Sequence, residues 1–164
     1  MILYIVRHGI AVDRTDPKCP PEAERPLTAR GVQKTRSAAL GLRALGAKPD
    51  VLITSPYVRA AQTAEIMAEA LGYPPEKIRV SEALKPNENP ATILNEIFRL
   101  RAKEVMLCGH APHVDHLISQ LAGARGTFTA MKKAGMACFE QAGGHGRWEL
   151  LWYLTPKALR ELGD

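Results

Sequence analysis

Three short stretches of this chain carry residue types that can handle a phosphoryl group. Arg7-His8-Gly9 follows the apolar run 1–6, Arg59 stands just after Thr54-Ser55-Pro56, and Gly109-His110 closes the strand-like run 104–108. A histidine ring nitrogen can attack phosphorus, a guanidinium matches two phosphate oxygens at once, and a glycine lets the backbone turn close to a ligand. Each stretch alone has a plainer reading, as a polar strand end or as an arginine on the wet face of a helix. Together they supply two histidines and two arginines with no Asp or Glu inside the motifs. That composition predicts an electropositive crevice suited to a transferring phosphoryl group.

The elements that must position these residues follow from the apolar pattern. Strands are expected at residues 1–6, 51–54, 78–80, 104–108, 136–141 and 148–154, the last two joined as a hairpin through the glycine-rich stretch 143–146. Helices are expected at 29–45 with Thr28 as N-cap, from Ser55-Pro56 to residue 71 with Ser55 as N-cap, at 90–102, at 112–122, and after Thr155-Pro156. Residues 10–27, rich in proline and charge, read as a long loop beside the candidate site, and such loops are often functional. Strand alternating with helix means an α/β protein with a mainly parallel sheet and a late antiparallel element. In such a sheet the ligand crevice lies at the carboxyl ends of the strands, where all three motifs fall. One domain over residues 1–164 is expected.

Composition narrows the partners. The 164 residues are 46% apolar and 24% charged, with a net charge of +5. Lys and Arg are scattered with few aromatics between them, so no nucleic-acid stripe is present, while an acidic surface or a phosphorylated substrate suits the balance. No apolar stretch approaches a membrane span, and no basic leader or cleavage site precedes the first strand. Cys19, Cys108 and Cys138 are far apart and odd in number, which favours reduced thiols. A cytoplasmic protein is expected.

The motifs together resemble the histidine phosphatase superfamily, the phosphoglycerate mutase-like fold. The resemblance rests on Arg7-His8-Gly9 after the first strand, Ser-Pro-x-x-Arg-Ala-x-Gln-Thr over residues 55–63, and Gly109-His110. Arg25-Pro26-Leu27-Thr28 and His110-x-Pro112-x-Val114 are similar to the small SixA-type branch, the protein phosphohistidine phosphatases. The resemblance implies a three-layer α/β/α fold with a mixed, mainly parallel sheet. It implies His8 as nucleophile, with Arg7, Arg59 and His110 neutralising the phosphoryl oxygens, and no cofactor. Gly9 and Ser55 are expected to line the substrate site. Arg25 reads equally as a phosphate ligand or as an ion-pair partner.

One departure bears on the substrate. Many family members carry an acid after the third strand, and here Pro86 stands in that place, with Glu82 and Glu88 nearby. An alkoxide leaving group needs a proton. A ring-protonated phosphohistidine instead expels neutral imidazole, whose conjugate acid has a pKa of about 6.5. The expected substrate is therefore phosphohistidine on a protein, such as a signalling phosphotransfer domain. A small-molecule phosphomonoesterase acting on sugar or nucleotide phosphates is the alternative, and a non-catalytic phosphoprotein-binding module is the alternative of another class.

A second cluster, His110-x-x-His113-x-Asp115-His116, differs by one residue in spacing from a zinc-hydrolase motif. No metal is expected: His113 and His116 should share the rim of a helix, and His145 should sit at the hairpin tip.

Overall fold

Strand β1 (Ile2–Arg7) is apolar at successive positions because both faces of the sheet are covered. In the computed structural model, which describes residues 1–142 and 146–163, the side chains of β1 split by parity. Leu3 and Ile5 enter one core with Ile93, Ile97, Leu117 and Ile118. Tyr4 and Val6 enter the other with Ala38, Leu42, Met67 and Leu159. That split makes three layers. Helices α1 (Ala29–Ala44), α2 (Val58–Leu71) and α5 (Pro156–Gly163) lie on one face, and α3 (Pro90–Phe98) and α4 (His113–Leu121) on the other.

The remaining strands are β2 (Val51–Thr54), β3 (Arg79–Val80), β4 (Glu104–Gly109), β5 (Met136–Ala142) and β6 (Arg147–Leu154). They form one six-stranded sheet in the order β3-β2-β4-β1-β5-β6. β1, β2, β3 and β4 run parallel, while β5 is antiparallel to β1 and to β6. The fold is the expected three-layer α/β/α arrangement. Register places Arg7 opposite Gly109 and Thr54 opposite Cys108, so the carboxyl ends of β1, β2 and β4 stand side by side. No helix among the described residues is long and apolar enough to cross a membrane.

Local chemistry explains most element ends. The Thr28 hydroxyl accepts from the Gly31 N–H at 2.9 Å, capping α1 as expected. Gly72 at φ 69° ends α2 in the left-handed conformation. The start of α2 corrects the expectation: the helix begins at Val58, and Ser55 is not its N-cap. The Ser55 hydroxyl accepts from the Tyr57 N–H at 3.3 Å, ahead of the helix, and lies 2.8 Å from His110 Nε2 at the next strand end. Helix α3 stops at Phe98, four residues short of the expected end. Its last N–H groups, on Arg99 and Leu100, close back onto Glu96 and Ile97, the tightened turn of a fraying terminus. The loop 10–27 is tied at its neck by an antiparallel bridge between Ala11 and Leu27 and carries a 3-10 turn at Glu22–Glu24. The expectation for His145 falls outside the described residues.

Candidate active site

His8 leaves β1 with its ring fixed at both nitrogens. Nδ1 lies 2.7 Å from the Gly9 carbonyl oxygen, which makes it the protonated nitrogen. Nε2 then carries the lone pair, and it accepts from Arg59 Nε–H at 3.2 Å. Burial, reinforced by the charges of Arg59, Arg7 and Lys133, pulls the His8 pKa down to about 3, so the ring is neutral at physiological pH. Gly9 has no room for a side chain, since a Cβ there would sit 2.2 Å from Thr35 Oγ1. Its N–H donates to Thr63 Oγ1, which ties the strand end to α2.

Arg7 is held from the far end of the chain. Its guanidinium donates to the Met131 carbonyl. The Met131 N–H donates to Asp115 at 2.9 Å, and Thr129 Oγ1 reaches the same carboxylate oxygen at 2.7 Å. Asp115 is therefore a buried clamp on the loop that holds Arg7. Sequence reading placed it only in the metal cluster. The signal lay in its position on α4 near Val114, Leu117 and Ile118, where a lone carboxylate must find donors.

The four motif residues do converge. His8 and His110 have ring centroids 5.0 Å apart, and Arg59, 2% exposed, bonds His8 directly. Tyr57, missed by sequence reading, packs against the His110 ring in a T-shaped contact and sets its face under the Arg59 guanidinium. Ser55 is fully buried behind His110. His110 Nε2 is hydrogen-bonded to the Ser55 hydroxyl, and its Nδ1 is buried and has no partner. Burial first, then the neighbouring His8 and Arg59, lower the His110 pKa to about 2.

The crevice expected to be electropositive also holds carboxylates, from outside the three motifs. Glu22, from the 3-10 turn of the loop, accepts from Arg59 Nη2 at 2.8 Å through its carboxylate and from Arg59 Nη1 at 2.7 Å through its backbone oxygen. The same carboxylate takes paired bonds from Arg14 and from Arg25. Arg25 is thus seen as an ion-pair partner at the cavity wall. The cavity has a volume of about 490 Å³, and Arg7, His8, Arg59, Arg25, Asp13 and Pro86 line it. Bonds from Arg14 and Arg25 hold Glu22 down at about 2, and the Thr15 amide and hydroxyl lower Asp13, so both are ionised. Glu82 pairs with Lys85 and, like Glu88, does not line the cavity. The signal for Glu22 was its place three residues before Arg25; a loop without periodicity gave no reason to choose it.

The second histidine cluster does not assemble. His113 is fully buried with neither ring nitrogen bonded, His116 is exposed, and Asp115 faces Thr129 and Met131. The rim position expected for His113 is wrong because His113, Leu117 and Leu121 share one face of α4 at helical spacing, and that face is the core. Burial lowers the His113 pKa to about 4. The folded state therefore refuses a proton that the unfolded chain takes near 6.5. Stability is present above that value and is lost as pH falls toward 4, at about 1.4 kcal/mol per pH unit. His113→Leu is expected to leave stability at pH 8 equal or higher and to move acid unfolding to lower pH. Urea unfolding at pH 8 and pH 5 checks this; an unchanged difference between the two would contradict a buried neutral ring.

Comparison with known proteins agrees with this geometry. The family model for the histidine phosphatase superfamily (branch 1) matches residues 3–85. An uncharacterized protein of Picosynechococcus sp. is 38% identical over 141 residues, covering 83% of this chain and 82% of that one. The phosphohistidine phosphatase SixA of Escherichia coli is 26% identical over 156 residues, covering 92% of this chain and 93% of its own. A solved structure of the protein histidine phosphatase SixA complexed with tungstate superposes with a TM-score of 0.84 at 24% identity, covering 97% of this chain and 99% of that one. The chain belongs to the histidine phosphatase superfamily, and phosphatase chemistry comes with that membership.

Proposed function

We propose that this protein hydrolyses phosphohistidine on a protein, passing the phosphoryl group through His8. The observation that carries the reading is the fixed neutral ring: Nδ1 bonded to the Gly9 carbonyl and the Nε2 lone pair directed to Arg59. In the first step Nε2 attacks phosphorus as the bond to the leaving nitrogen breaks. The donor imidazole, protonated at its other nitrogen, departs neutral with the electron pair of the broken bond. In the second step water attacks the phosphoryl group on His8, releasing phosphate and a proton and returning the ring to its starting state. Arg7, Arg59 and His110 are suited to hold the equatorial oxygens.

The leaving group decides the substrate class. The carboxylates lining the cavity or reaching Arg59 are ionised and already bonded, and Pro86 supplies no acid. The site thus has bases and cations but no evident proton donor for an alkoxide. Substrates are expected to sort by how well they leave unaided. Phosphoramidate and phosphohistidine should be fastest, aryl phosphates with acidic phenols next, and sugar or glycerate phosphates slowest by at least about tenfold, worth roughly 1.4 kcal/mol. A competition of these substrates on purified protein tests the reading. An alkyl phosphate that matched phosphohistidine in kcat/KM would transfer the assignment to a small-molecule phosphomonoesterase. Binding without turnover would make the protein a phosphoprotein-binding module.

A further inference from the structure

A second cavity, of about 440 Å³, adjoins the one just described and shares Arg7 and Lys133 with it. Three elements build it. Helix α1 contributes Lys34, the turn before β5 contributes Lys132 and Lys133, and α5 contributes Lys157 and Arg160. Among the described residues, no Asp or Glu lines it. Among the described residues, the one ion pair made by these five cations is Lys157 with Glu161, a loose contact of 3.8 Å on exposed side chains. Two further lining residues, Arg7 and Thr35, hold polar atoms that are buried without partners, at Nε and Oγ1.

The lysine turn is held in place at a cost. Ala134 adopts φ 61°, a left-handed conformation that a side chain disfavours, and its N–H lies 3.1 Å from both the Arg7 and His8 carbonyl oxygens. Gly135 closes the turn onto the Lys132 carbonyl at 2.7 Å. The backbone that follows Lys132 and Lys133 is therefore tied to the strand end carrying His8. Converging like charges repel one another unless an anion lies among them.

We propose that this cavity docks carboxylate side chains of an acidic segment flanking the phosphorylated histidine of a protein substrate. The inference rests on the phosphohistidine reading above and names the partner's surface. Four of these five cations are lysines, compact hydrated charges on flexible stems, and Lys132, Lys133 and Lys157 are exposed. Such a set suits several mobile carboxylates passing over a rim. A tightly cradled second phosphate would favour planar arginine forks. The shared wall at Arg7 and Lys133 sets the acidic residues next to the phosphoryl group.

Two phosphohistidine peptides of equal length test it, one flanked by Asp and Glu, the other by Asn and Gln at the same positions. The parent protein is expected to favour the acidic peptide at least about tenfold in kcat/KM at low salt, an advantage that shrinks as salt screens it. In the combined variant Lys34→Gln, Lys157→Gln, Arg160→Gln the ratio should fall to near one. If that variant unfolds, Lys157→Gln, on an exposed side chain, should still lower the ratio about twofold. Equal rates for both peptides in the parent overturn the docking site and leave the phosphohistidine reading standing. Hydrolysis of neither peptide, with an aryl phosphate still hydrolysed, overturns both. Inhibition by pyrophosphate that weakens in the variant while the peptide ratio holds assigns the cavity to a second phosphate and overturns the carboxylate assignment.

Discussion

His8→Ala is expected to lower turnover by at least about a thousandfold, ~4 kcal/mol of barrier, and to abolish the phosphoenzyme. The substitution removes the nitrogen that Arg59 addresses and leaves the sheet intact, because the ladder uses only the backbone of residue 8: its N–H donates to Gly109 and its carbonyl accepts from Ala134. Base-quenched samples of the parent should carry an acid-labile phosphoryl group that the variant lacks. The acid limb of the parent's profile gives an independent check. A protonated ring cannot attack, and His8 takes its proton only near pH 3. Aryl phosphate turnover should therefore show no loss governed by an enzyme imidazole near 6.5. More than a tenth of the parental rate in His8→Ala would rule out covalent transfer through this residue.

Arg59→Lys is expected to cost at least about tenfold in kcat/KM, roughly 1.4 kcal/mol or more. Arg59 uses three separate N–H directions at once: Nε to His8, Nη1 to the Glu22 carbonyl, and Nη2 to the Glu22 carboxylate. An ammonium at the end of a four-carbon stem reproduces the charge and none of the fork. The variant should also bind vanadate or tungstate more weakly, and added zinc should restore nothing. Near-parental kcat/KM with Lys at this position would reduce Arg59 to a source of bulk charge.

The sequence made the strand ends legible and left the contacts between distant segments unread. β2 was bounded correctly at residues 51 and 54 because its apolar run meets proline and aspartate before it and Ser-Pro after it. Thr28 marked α1 because its capping bond spans only three residues. Ser55 was misplaced for the opposite reason. Locally it looks like a cap, but its one local bond is to the Tyr57 N–H ahead of the helix, and its shorter contact is to His110, 55 residues away. Glu22 is the same case, meeting Arg59 across 37 residues from a loop with no pattern to read. His113 was different, since its spacing from Leu117 and Leu121 carried the evidence of burial and the metal-like neighbourhood drew attention elsewhere.

The sheet order has a consequence for how the chain acquires its site. β1 lies between β4 and β5, so the strand bearing Arg7 and His8 pairs with residues 104–109 on one side and 136–140 on the other. Both neighbours lie roughly a hundred residues or more downstream. At a synthesis rate of about 5–20 residues per second, β1 waits on the order of 5–20 s for its first ladder partner. Throughout that wait its run of Ile, Leu, Tyr, Ile and Val is an unpaired apolar segment with strong strand propensity, a surface that chaperones or aggregation would meet first. Pairings of such sequence separation also slow the closing of the sheet, because loop entropy is lost before the contacts repay it. His8 is thus translated early and positioned late, and refolding of activity should track the joining of β1 to β4 and β5 rather than the formation of the helices around them.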